Sequence, residues 1–305
     1  MADGAPLPPR KPLRRLLGFV LLICIGAAAL TALWIGLGLP PQRQHGVLRA
    51  VPQLLSGILL LGLALGVTAG MLRRLEGRAL DSVGLARDLS ALGWPVGLVL
   101  GAATPLLVTA GLLAAGQAEL RPAALTARVL TLTTLPMTLG VLMLSTWEEI
   151  AFRGYPLQLL AEWRGPRLAA LLTGLAFGLA HSGNPGANPA GLAFTAMNGA
   201  LLAWVVIRTG SLWLATGYHG GWNLMAAIVL GLRDSGAVLE GSLAHTELSG
   251  PAWLSGGAFG FEASPVTGAV ELVVLLLMVR WSQRFPPNVR AQPYFAGVIR
   301  RGGEI

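Results

Sequence analysis

The chain has 305 residues, of which 54% are hydrophobic and only 12% charged, with a mean hydropathy of +0.65. A soluble domain carries about 25% charged residues, so an ordinary soluble enzyme and a disordered chain are both excluded. The net charge of +8 does not mark a nucleic-acid partner, because the basic residues sit between long apolar runs rather than in a basic domain. The expected partner is the lipid bilayer.

A spanning helix needs about 20 mainly apolar residues, and eight runs qualify. They cover residues 16–39, 51–72, 91–115, 127–147, 166–181, 189–207, 211–232 and 265–281. The first begins like a signal peptide, with basic residues ahead of an apolar stretch and Ala27-Ala28-Ala29. It continues through Trp34 to Leu39, too long for a signal's apolar core, so it reads as an uncleaved span. Pro40-Pro41 ends it. The fourth run ends near Ser145-Thr146-Trp147, which leaves the charges that follow meeting cytoplasm at a helix end. Pro136 sits within that run as a candidate kink. Gly62, Gly66 and Gly70 in the second run read as small residues for packing within the molecule.

With the N-terminus inside, 17 of the 22 Lys and Arg residues fall on the cytoplasmic side and 5 outside. That bias supports eight spans with both termini cytoplasmic. The expected organisation is a disordered basic segment at 1–15, a single transmembrane bundle at 16–282 and a basic tail at 283–305. The fold class is therefore all-α, a polytopic membrane helix bundle. Residues 233–264 form the longest loop, on the outer face, either a lid or a poorly ordered connection. Cys24 stands alone, so no intramolecular disulfide forms. With 21 Arg against one Lys and 41 Gly, the composition points to a GC-rich bacterial genome and hence to the inner membrane.

Ionisable groups inside a bilayer are costly, and their default reading is functional. Three clusters fit. Glu148 and Glu149 precede Arg153, and Glu149 shares a helix face with it. Phe177 precedes His181 at the end of the fifth run. His219 and Asn223 share a face inside the seventh, with Gly220 and Gly221 between them permitting close backbone approach. Charges at a helix end and a lone interfacial histidine are the structural alternatives for the first two clusters.

Glu148-Glu149-x-x-x-Arg153, Phe177-x-x-x-His181 and His219-x-x-x-Asn223 together resemble the motifs of the CPBP intramembrane proteases. This family of CAAX proteases and bacteriocin-processing enzymes is also called Abi. The resemblance runs from about Trp147 to Leu232, inside a core at about 127–232. It implies a catalytic centre built from spans 4, 5 and 7. Glu148 would activate water, His181 would help hold it, and His219 and Asn223 would bind the oxyanion. Arg153 would orient the Glu pair through Glu149.

Peptide hydrolysis needs those functions: a base, an oxyanion stabiliser and an acid for the leaving amine. A divalent metal, zinc foremost, is an alternative, with Glu148, His181 and His219 as three ligands. The His-Glu-x-x-His signature is absent. The substrate would be a membrane-associated peptide or protein. Two other readings stay open: a non-catalytic immunity or scaffold protein, and a proton-coupled transporter.

Overall fold

A computed structural model describes residues 11–39 and 46–282. The sequence expectations for the first ten residues and for the tail at 283–305 lie outside the described residues. Helix α1 (Pro12–Gly36) begins inside the segment expected to be disordered. It is followed by α2 (Val47–Met71), which a π turn extends through Leu72–Glu76, and by α3 (Arg87–Ala114). After strand β1 (Ala118–Pro122) come α4 (Ala127–Val129), a π turn at Leu130–Thr134, α5 (Leu135–Glu149), a further π turn at Ile150–Gly154, and α6 (Tyr155–Arg164). The chain continues as α7 (Pro166–Ala180), α8 (Pro189–Thr209) and α9 (Leu212–Asn223), the last extended by a π turn to Val229. Strand β2 (Ala244–Leu248), α10 (Ala252–Ser255), a 3-10 turn (Phe261–Ala263) and α11 (Pro265–Ser282) complete it.

Among the described residues, five segments are long and apolar enough to cross a membrane: 12–36, 48–76, 93–114, 127–164 and 189–209. Helix α7 is apolar but shorter. Large apolar side chains such as Leu17, Ile25, Leu59, Val99, Leu107, Leu179 and Leu277 face outward, which water would not tolerate at this density and lipid does. The architecture is that of a helical membrane bundle.

Local chemistry explains the helix starts. Asn188 accepts from the Gly191 amide ahead of Pro189, and Ser211 accepts from the Leu214 amide. Each satisfies an otherwise orphaned N–H. Pro136 is the second residue of α5, just after the π turn at Leu130–Thr134.

Small residues set the packing. A Cβ on Gly97 of α3 would come within 2.7 Å of the Tyr218 amide nitrogen, and one on Gly217 within 3.0 Å of the Leu98 nitrogen. Gly101 and Gly221 continue the same seam, so α3 and α9 meet backbone to backbone. Gly174 and Gly178 of α7 do likewise against Ala196 and Ala200 of α8. The Gly62, Gly66 and Gly70 stripe does not: a Cβ at any of them meets nothing within 4 Å. The packing expected there is corrected, because the contact runs through other faces of α2.

Two further expectations change. The fourth span does not end near Trp147 but stays helical to Arg164. The bundle is also not purely helical, since β1 and β2 form an antiparallel ribbon with Ala118 opposite Leu248 and Pro122 opposite Ala244. The long loop at 233–264 is an ordered strap over one end of the bundle. Thr134 and Thr246 hydroxyls donate to the Gly241 and Leu230 carbonyls, each at 2.6 Å, and Trp222 stacks on Phe261.

Candidate active site

Glu148 and Glu149 end α5 at adjacent positions, about 100° apart around the axis. Glu149 and Arg153 are fully buried and joined at 2.8 Å. The same Glu149 Oε1 accepts from His219 Nδ1 at 3.0 Å. A buried charge persists only when paired, and here one carboxylate anchors both a guanidinium and an imidazole.

Arg153 also lies over the Phe177 ring, 4.0 Å from its centroid. The ring face receives a guanidinium whose Nε and Nη2 have no hydrogen-bond partner among the described residues. A Cβ on Gly199 would lie 3.0 Å from that Nη2, so only glycine leaves the room. Phe177 further touches His181, with ring centroids 4.7 Å apart, and meets His219 edge-on at 5.8 Å.

Glu148 faces the other way. Its Oε2 lies 3.8 Å from His219 Nε2, and it lines a cavity of about 210 Å³. His181, His219 and Asn223 line the same cavity. His181 donates from Nδ1 to the Phe177 carbonyl at 2.8 Å, which leaves Nε2 as its second ring nitrogen. Asn223 donates to Ser145 Oγ at 2.9 Å, using one of its two amide hydrogens.

The longer fourth helix accounts for this meeting. Glu148 lies about 24 Å along the axis from Arg164, and His181 about 22 Å from Pro166, at 1.5 Å per residue. Arg164 and Pro166 flank one turn at Gly165. The two side chains therefore reach the same depth, although the sequence put them near opposite surfaces.

The donor set does not support a metal. Among the described residues no three His, Cys, Asp or Glu side chains are grouped to hold one. The alternative ligand set of Glu148, His181 and His219 thus finds no geometric backing.

The cavity also contains side chains that sequence reasoning missed. Asn198 of α8 donates to Glu271 of α11, and both line it. Glu271 stands alone among acids in the last apolar run, a signal that was present in the sequence. Asp234, Ser235 and Glu262 enter from the strap, where no periodicity marks a loop residue. Burial pushes the Glu262 carboxyl well above its ordinary range, and the Asp234 charge adds to this. Asp234 is raised as well, again chiefly by burial.

No curated protein matches the chain significantly. Residues 130–225, which hold all three motifs, match the family model described as type II CAAX prenyl endopeptidase Rce1-like. Through this core, about a third of its length, the chain is similar to the CPBP/CAAX protease family.

Proposed function

We propose that the chain is an intramembrane endopeptidase that hydrolyses a membrane-associated peptide or protein with a glutamate-activated water. The observation that carries this reading is the convergence of Glu148, His181, His219 and Asn223 on one cavity, inside a segment with a protease family match.

Glu148 takes a proton from water as the oxygen attacks the scissile carbonyl. His181, with Nδ1 committed to the Phe177 carbonyl, accepts from that water through Nε2 and fixes its direction. The developing oxyanion receives the second Asn223 amide hydrogen and the Nε2–H of His219 as its imidazolium. Glu149 holds His219 from the Nδ1 side, and Arg153 holds Glu149. Glu148 returns the proton to the leaving nitrogen as the C–N bond breaks. Eight spans with both termini cytoplasmic, in a bacterial inner membrane, remain the topology that the charge bias supports.

The test compares membrane-protein termini in three strains: wild type, deletion, and deletion complemented with Glu148→Ala at equal expression. New termini present only with the wild-type protein are expected. A phenotype rescued by Glu148→Ala without any change in termini would establish the scaffold or immunity reading instead. Loss of proton-coupled uptake without a cleavage product would establish transport.

A further inference from the structure

Glu271 is 3% exposed, lies within α11, and borders the same cavity as Glu148. The mechanism above does not use it. Its one hydrogen-bond donor among the described residues is the Asn198 amide, and no Lys or Arg lines the cavity. Arg153 does not serve it, being fully buried and paired with Glu149. A carboxylate in a membrane helix is expensive to keep. Holding a carboxyl group beside a reaction chamber with only an amide donor leaves it available to whatever enters.

Glu271 also lies outside the segment shared with the protease family, which ends at residue 225. It enters the chamber wall from α11, apart from the three motifs. Its place on a different helix from Glu148 leaves it free to meet the substrate rather than the attacking water.

We propose that Glu271 is a specificity-determining residue that receives a cationic side chain, Lys or Arg, next to the scissile bond of the substrate. Asn198 positions its carboxylate. This inference rests on the endopeptidase reading and names the substrate class for it. A cation that leaves water for this chamber needs an opposite charge, and its approach favours the ionised form of Glu271 in the wall formed by α11.

The test uses the purified full-length protein in detergent micelles with a quenched-fluorescent library of amphipathic peptides. Each peptide is made with Lys and with norleucine, its uncharged counterpart, at each position flanking the cut. The expected result with the wild-type protein is a Lys-over-norleucine ratio in kcat/KM of roughly tenfold or more at one position, as for a desolvated charge pair. In Glu271→Gln that ratio falls to about 1. A ratio near 1 in the wild-type protein overturns the proposal without recourse to any variant. So does a uniform loss of cleavage in Glu271→Gln with the ratio kept.

Binding of the same peptide pairs to Glu148→Ala separates the two readings. Lys-selective binding that Glu271→Gln abolishes, with no cleavage by the wild-type protein, keeps the cation site and removes the peptidase. Equal binding of both forms removes the cation site.

Discussion

Glu148 and Glu149 carry the same functional group, and one step of the helix gives them opposite surroundings. Glu149 is consumed by Arg153 and His219, whereas Glu148 keeps its face to the cavity. Replacing Glu148 with Gln is expected to cut peptide cleavage by roughly 10²–10⁴-fold while the thermal unfolding midpoint in detergent stays put. Asn223→Ala is expected to lower kcat by about 10²–10³-fold, read from steady-state kinetics on a cleaved peptide. Arg153→Ala should behave differently, because it strands a buried carboxylate at a cost of about 3–5 kcal/mol. A large fall in the unfolding midpoint is the expected readout, and an unchanged midpoint would refute a structural role for the pair. The ionisable groups of this site were legible in the sequence because an apolar run makes any charge conspicuous. Asn198 drew no notice because an amide carries no charge. Glu271 was missed although its charge stood out, because it lay beyond the matched motifs.

The elements were less legible at their ends than in their middles. Glu148, Glu149 and Arg153 looked like a helix meeting water, and that reading stopped the fourth span too early. The charges of Glu149 and Arg153 instead cancel inside the bundle, so the helix has no reason to end there. It continues through a π turn, a device that recurs at functional sites. Glycine spacing misled in a similar way. The sequence shows many glycines at helical intervals, and only the tertiary fold decides which of them touch. Gly217→Val is expected to force α3 and α9 apart, losing about 1–3 kcal/mol or more, seen as a lower unfolding midpoint. Gly66→Val, facing open space, should leave the midpoint near that of the wild type. Equal effects of the two substitutions would contradict the packing described here.

At the scale of the whole molecule, the strap at 233–264 joins the ends of α9 and α11 and brings Asp234 and Glu262 to the cavity. Both carboxyls titrate higher than usual, chiefly through burial. A raised folded-state pKa means that the native protein binds more protons than the unfolded chain. The stability these groups add is therefore fully present below the ordinary carboxylate range and is lost as pH rises through their elevated values. Amides near Asp234 and Glu262 should exchange hydrogen faster, relative to intrinsic rates, at pH 8 than at pH 5. The opposite trend, or none, would show that these two carboxyls do not govern the strap. Loop residues of this kind leave no periodic trace in a sequence, which is why the strap was read only as a connection of uncertain order.

Helix α11 packs Gly268 against Phe194 and places Glu271 beside Asn198. Among the described residues it is the last helix in chain order. Until it is inserted, the chamber lacks one wall, and Asn198 has no carboxylate to hold. The cavity that Glu148 lines is thus closed on that side only when α11 has packed against the helices that precede it.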